Sequence, residues 1–263
     1  MSNKQSVFDD ILTVIKQQYL WRTLGWYDIL ARYRRSVLGP IWITISMAVT
    51  IAAMGPLYGA LFNFDPSEFI PHLALGFIFW ALISSAINES AGAFAESAHY
   101  MKQTYIPAPF FVLRVIYRQI IILGHNLILY PIIFLILWKP INLNVLWFIP
   151  GFALVIINLI FIGTLLAIFC ARYRDMAPVL NSIMSLLFFV TPIIWRMEQL
   201  PPERQAFVSW NILANFVDLL RAPLLGLEPI AQDWIVAGCS AIILGILTFV
   251  LYSKKRHRIT YWL

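Results

Sequence analysis

The chain has 263 residues, 60% of them hydrophobic, with a mean hydropathy of +0.77 and a formal net charge of +6. No polar stretch is long enough to bury a core of its own, so the composition excludes a soluble catalytic domain and reads as one membrane domain. The positive charge is not a nucleic-acid footprint, because the basic residues sit where membrane topology puts them.

The first 36 residues read as an amphipathic interface segment. Phe8, Ile11, Leu12, Ile15 and Tyr19 recur at helical spacing, while Asp9, Asp10, Thr13, Lys16 and Gln17 take other faces. Such a helix lies in the membrane interface rather than crossing it, and Trp21, Trp26 and Tyr27 suit that depth. The segment lacks the uninterrupted apolar stretch of a secretory signal. Residues 29–36 then bring Arg32, Arg34 and Arg35 to the membrane surface. There they serve as topology anchors, or contact lipid phosphate or a partner.

A membrane domain is expected over 37–253, with a polar tail at 254–263. A hydrocarbon core of about 30 Å needs about 20 apolar residues of helix. Six runs meet that need, at 37–62, 71–94, 110–138, 145–170, 177–195 and 234–252. In the first, Gly39-Pro40 sits where a missing N–H is harmless, while Gly55-Pro56 lies deeper and predicts a bend. Tyr58 and Phe62, one turn apart near its far end, offer flat apolar surfaces suited to sugar rings. The second run ends on Asn88-Glu89-Ser90, and the short polar connection 96–109 has room for one or two helical turns. The third opens with Arg114, Arg118 and Gln119 near one face, with His125 and Asn126 deeper. The connection between the fifth and sixth runs stands apart. Residues 207–226 are moderately apolar but carry Asn211, Asn215, Asp218 and Arg221, too polar and too short for two more spans. They predict re-entrant helices dipping into the outer leaflet, with a surface-lying amphipathic helix as the alternative.

Fifteen of the 19 Lys and Arg residues, Lys4 among them, fall in the first segment, the second and fourth connections and the tail. The positive-inside rule then places both termini in the cytoplasm, and an even number of spans agrees with that.

Chemistry-bearing motifs are scarce. No glycine is followed by lysine, so there is no P-loop; HExxH and GxSxG are absent too. Cys170 and Cys239 lie in different spans without metal or redox spacing, and His72, His99, His125 and His257 are scattered singly. No catalysis, metal or cofactor is expected on this chain, so uphill transport would draw on an ion gradient or a separate ATPase. Glu89 is the one carboxylate embedded in a span, where a charge costs about 2.5–3.5 kcal/mol at the helix centre and less near an end. It either lines a pore, with Asn88 beside it, or pairs with Arg114 or Arg118. Asn158 and Asn181 suit hydrogen bonds that join helices.

Three stretches resemble the type-2 ABC exporter permeases that export lipid-linked polysaccharides. They are Arg32-Tyr33-Arg34-Arg35-Ser36-Val37-Leu38-Gly39-Pro40-Ile41-Trp42; Arg172-Tyr173-Arg174-Asp175, with Phe188-Phe189-Val190-Thr191-Pro192-Ile193-Ile194-Trp195 further on; and Asn211-Ile212-Leu213-Ala214-Asn215, continuing to Leu220-Arg221-Ala222-Pro223-Leu224-Leu225-Gly226. The likeness covers nearly the whole chain and looks closest to permeases for O-antigen, then teichoic acid and capsule. One departure is Ile212, where the family often has a proline after the asparagine. The resemblance implies a homodimeric, non-enzymatic half-transporter of the bacterial inner membrane. Two separate subunits would bind ATP and Mg, and the substrate would be a glycan on an undecaprenyl-type lipid. It implies that connection 96–109 holds a coupling helix with His99, Tyr100 and Lys102 as contacts. Arg32, Arg34 and Arg35 would suit the lipid pyrophosphate, Tyr58, Phe62, Asn88 and Glu89 the pore, and Asn211, Asp218 and Arg221 the outer gate. The rival readings are an exporter of a drug or small lipid, an ion-coupled transporter using Glu89 and His125, and a membrane-bound glycan-modifying enzyme. The last lacks a placed acid/base pair.

Overall fold

The computed structural model describes residues 6–263, and the regular elements among them are all helical. Lys4 of the basic segment lies outside the described residues. The helices are α1 (Val7–Lys16), α2 (Gln18–Tyr33), α3 (Ile41–Phe62), α4 (Pro66–Glu96), α5 (Ala98–Gln103), α6 (Pro109–Leu127), α7 (Leu129–Ile136), α8 (Phe148–Arg172), α9 (Met176–Val190), α10 (Pro202–Ser209), α11 (Ile212–Leu224) and α12 (Ala231–Trp262).

Local chemistry sets several boundaries. Ser6 and Asp9 form a reciprocal capping box on α1. Asp65 caps α4 by accepting the Ser67 N–H at 2.8 Å, and that bond holds its carboxyl below the ordinary value. The break between α6 and α7 falls just before Pro131, whose ring has no N–H and crowds the carbonyl of Leu127.

Five helical stretches are long and apolar enough to cross a membrane: α3, α4, α6 with α7, α8 with the 3₁₀ turn Leu143–Trp147 before it, and α12. The run expected at 177–195 folds differently. Its helix, α9, has 15 residues and stops at Val190, about 22 Å of rise. The chain then continues through Thr191, Pro192 and Ile193 as a buried non-helical segment, because Pro192 cannot extend the hydrogen-bond ladder. The polar segment 254–263 is helical too: α12 runs unbroken for 32 residues to Trp262. Its last turns are held by the buried Ile259, by Arg172 stacked over Trp262, and by Arg174 Nη2 donating to the Leu263 carbonyl at 2.9 Å.

α4 is the axis of the bundle. Two thirds of its most apolar window (67%) is buried, against 17% for α3 and for α12. Phe69, Leu73, Ile78, Phe79, Ile83 and Phe94 are enclosed by α3, α6, α8, α9 and α11. α8 and α12 form a second tight pair. Asn158 Nδ2 donates to the Ala237 carbonyl at 3.0 Å and Asn158 Oδ1 accepts from Ser240 Oγ at 2.8 Å, so Asn158 joins helices. α1, α2, α5 and the end of α12 gather at one end of the bundle, the basic end; α10 and α11 lie at the other.

Gly163 lets α8 close on α4: a Cβ there would sit 2.7 Å from Ser90 Oγ, whereas one at Gly238 would meet nothing within 4 Å. Gly163→Val is therefore expected to cost about 1–3 kcal/mol by overpacking, and Gly238→Ala to be neutral. Thermal unfolding of the two variants in detergent checks this pair.

Candidate functional site

At the basic end, α2 docks across α6 because Gly25 removes a side chain at the crossing. A Cβ there would lie 3.0 Å from the Tyr117 ring and 3.1 Å from the Arg114 carbonyl. The close approach aligns Asp28 of α2 with Arg114 and Arg118, which sit one turn apart on α6. Arg114 grips Asp28 through Nε and Nη2, at 2.8 and 2.5 Å, in a two-pronged ion pair. Arg118 bridges onward, donating Nη1 to Asp28 at 2.9 Å and Nε and Nη2 to Glu89 Oε2 at 3.1 and 2.5 Å. Gln119 adds a bond to the same oxygen at 2.6 Å, and Arg32 Nη2 lies 3.7 Å from the other. Glu89 is thus neutralised by α6, and Arg118 is the partner that span-by-span reading had offered among two. His125, the other residue of the ion-coupled reading, turns Nδ1 to the Ile121 carbonyl of its own helix at 2.9 Å.

Beside this network a cleft of about 520 Å³ opens between α3, α4 and α6, lined by Arg32, Trp42, Ser46, Glu89, Gln119 and Asn126. Asn126 Oδ1 and Asn88 Oδ1 are buried without a hydrogen-bond partner. Arg34 and Arg35, at and just past the end of α2, are exposed.

α5 is a single exposed turn and a half. It buries Met101 and exposes His99, Tyr100 and Lys102, with His99 and Tyr100 edge to face at 6.0 Å between ring centres. Two residues after α5, Tyr105 donates its hydroxyl to Asp10 Oδ1 of α1 at 2.6 Å. Asp10 Oδ2 accepts from Tyr252 at 2.9 Å and Arg256 Nη1 at 3.1 Å, both on α12. Burial, then the Asp10 hydrogen bond, push the Tyr105 hydroxyl up to about 12, so it stays a donor at any physiological pH. Asp10 is 1% exposed. The helical-wheel reading put it on a water-facing side of α1, and no local sequence signal marks its partners, which lie 95 to 246 residues away. The apolar face of α1, Phe8, Ile11, Leu12 and Ile15, is the exposed one.

At the opposite end, α11 is a buried helix, capped by Asn211 Oδ1 accepting the Leu213 N–H at 3.0 Å. Asn211 also donates to Thr191 Oγ1 at 3.2 Å. Arg221, 5% exposed, pairs with Asp218 and donates to the Pro192 carbonyl at 2.8 Å. Its Nη1 also lies 2.9 Å from His72 Nε2, and since a guanidinium only donates, that nitrogen accepts. These groups border a cavity of about 650 Å³ that Asp233 also lines. Arg221 and Asn211 thus tie α11 to the non-helical segment after α9. Tyr58 and Phe62 stack at 6.0 Å and lead into Phe64 and Phe69. They lie near the end of α3, well away along the bundle from Asn88 and Glu89, so the four pore candidates do not form one site.

Comparison with known proteins places these features. The family model described as ABC-2 type transporter matches residues 19–225. The O-antigen export system permease protein RfbA of Klebsiella pneumoniae is 24% identical over 244 residues, covering 88% of this chain and 90% of that protein. The polysialic acid transport protein KpsM of Escherichia coli is 22% identical over 230 residues, 85% of each. A third relative, the O-antigen export system permease protein RfbA of Myxococcus xanthus, is 21% identical over 260 residues, 93% of this chain and 97% of that protein.

Removing Asp28 would leave two arginines, 22% and 13% exposed, without their shared acceptor. Asp28→Ala is expected to lower stability by about 1–3 kcal/mol. Adding Arg114→Ala should cost less than the sum of the two single changes, because both break one network. Unfolding midpoints of the singles and the double decide this.

Proposed function

The chain belongs to the ABC-2 type transporter family, and from that membership we propose that it is the transmembrane permease subunit of an ATP-driven exporter of lipid-linked polysaccharide, with O-antigen as the substrate class. It is a multi-pass membrane protein. In the proposed arrangement it lies in the bacterial inner membrane with the basic end, and so both termini, in the cytoplasm. α9 and the segment through 195 make the fifth of six crossings, and α10 and α11 re-enter from the outer side. The burial of α11 against α4, α8 and α12 supports re-entry over a surface-lying helix, since polar backbone at membrane depth is tolerated only inside protein.

The observation that carries the reading is α5. A short helix that buries one methionine and exposes His99, Tyr100 and Lys102 between two membrane-crossing helices has little to stabilise except a contact with another chain. Two copies of the permease would enclose the path, with two ATP-binding subunits docked beneath α5. The substrate would be a glycan on an undecaprenyl-type lipid. In the proposed cycle the partner subunits close on ATP and push α5, and the push travels into α4 and α6, which flank it directly. α2, locked to α6 by Asp28, moves with them, and the path opens to the lipid-anchored chain. Arg32, at the mouth of the cleft, and the exposed Arg34 and Arg35 suit the lipid's pyrophosphate. The stacked Tyr58 and Phe62 suit sugar rings nearer the outer side. Glu89 pairs with Arg118 and His125 with its own backbone, so the two residues named for the ion-coupled reading are each engaged elsewhere and not with one another.

Purification of tagged protein in mild detergent is expected to bring down a stoichiometric ATP-binding subunit, with ATPase activity stimulated by lipid-linked glycan. The double variant His99→Ala, Tyr100→Ala should abolish export while the permease still assembles with itself. A permease that purifies alone, and whose export collapses with an uncoupler at constant ATP, would overturn the proposal.

A further inference from the structure

The proposed cycle moves α5, α4 and α6 but does not say how the outer helices α10 and α11 learn of it. α4 reaches α11 directly through the His72–Arg221 contact, and a second connection between the two ends starts from Asp10. Asp10 is a carboxylate with 1% exposure on a ten-residue helix whose other polar side chains face out. It has three donors from two distant segments: Tyr105, just past α5, and Tyr252 and Arg256 on α12. Three donors on one desolvated carboxylate form a stiff joint, because each bond is charge-assisted and a missing acceptor leaves the buried Tyr252 hydroxyl unmet. α12 then runs without a break for 32 residues, about 48 Å, from that joint to the opposite end. Along the way it is fastened to α8 by Asn158 and by Thr248, which donates to the Phe161 carbonyl at 3.3 Å. At the far end the same pair of helices holds α10 and α11. Gln232 donates to the Ser209 carbonyl at 2.9 Å, and Asn144, in the turn before α8, donates to the Gly226 carbonyl at 2.8 Å. Gly151 brings α8 against α11, where a Cβ would stand 3.1 Å from the Leu219 carbonyl.

We propose that Asp10 is a positioning residue that clamps the segment after α5 to α12, and that α12 with α8 acts as a rigid strut carrying the motion of α5 to the outer helices α10 and α11. The proposal rests on the exporter reading and adds to it a route that bypasses the path itself. Coupling of this kind requires a two-state element biased at both ends, and the carboxylate joint at one end and the hydrogen-bonded outer helices at the other provide the two points of bias. It also gives α1 a task beyond lying in the interface: its exposed apolar face sits in lipid while Asp10 on the reverse holds two parts of the protein together.

The experiment uses the full complex of permease and ATP-binding subunit in sealed vesicles. Cys170 and Cys239 are replaced by Ser, and the exposed Trp210, between α10 and α11, carries the reporter as Trp210→Cys. A membrane-impermeant maleimide reports its labelling rate with and without ATP and vanadate. In the parent the nucleotide is expected to change that rate several-fold. Asp10→Asn should erase the change and lower export at least tenfold, while the ATP-binding subunit still co-purifies and its basal ATPase is retained. Asp10→Glu should restore part of both. Tyr105→Phe, at a position exposed enough to spare folding, should show the same loss in weaker form. A nucleotide-dependent rate and export that persist unchanged in Asp10→Asn and Tyr105→Phe would overturn the strut while leaving the exporter reading intact. A parent that recruits no ATP-binding subunit would instead overturn the exporter reading, and the strut with it.

Discussion

A charge drawn into a membrane protein must be matched by another charge drawn in beside it, and the fold of this chain is organised by that requirement. Inward carboxylate and guanidinium groups mark the places where helices distant in sequence are joined, Asp28 between α2 and α6 among them. Glu89 joins α4 to α6, Asp10 joins α1 to α12 and to the segment after α5, and Arg221 joins α11 to α4 and to the chain after α9. Apolar packing cannot select these partners, because lipid tails are as good a neighbour for leucine as another helix is. The ion pairs and small-residue contacts, Gly25 on α6 and Gly163 on α4, are what make the arrangement specific.

The long crossings were legible because the bilayer imposes one length scale and one sign rule on any sequence. α3, α4 and α8 fall within about five residues of the expected runs, and α12 begins within a few residues of its own. Hydropathy does not show where a helix stops, because it averages composition and is blind to hydrogen bonds. Residues 191–195 carry two isoleucines and a tryptophan and so prolong the apolar run, yet Pro192 ends the ladder at Val190. Residues 254–263 are basic and read as a tail, yet Ile259, Trp262 and the Arg174 bond keep them helical.

The candidate site was legible only in part. Arg118 could be offered to Glu89 from sequence, with Arg114 as the alternative, because a span register fixes their depth; Arg114 turns instead to Asp28. Asp28 could not, since the angle at which α2 crosses α6 depends on the absence of a side chain at Gly25. Asp10 was hidden more completely. Its amphipathic helix is inverted relative to the soluble case, with the apolar face outward and the carboxylate inward, and in water that pattern would bury Phe8 and expose Asp10.

The two ends of the bundle use charge differently. At the basic end the ion pairs cross between helices that border α5, so they transmit force between elements while leaving α5's own polar face uncommitted. At the other end Arg221 spends its donors inside the protein, on Asp218, His72 and the Pro192 carbonyl, in ways that hold α11 to the irregular segment. A joint of that sort resists small motions and yields to large ones, because its donors share one guanidinium and are lost together. An outer element closed by such a cluster is either shut or released, with little between. The basic end, by contrast, shares its carboxylates among donors from several helices, with Arg118 bridging Asp28 and Glu89 and three residues meeting at Asp10. That division suits a machine that receives a push at one end and must convert it into a discrete opening at the other.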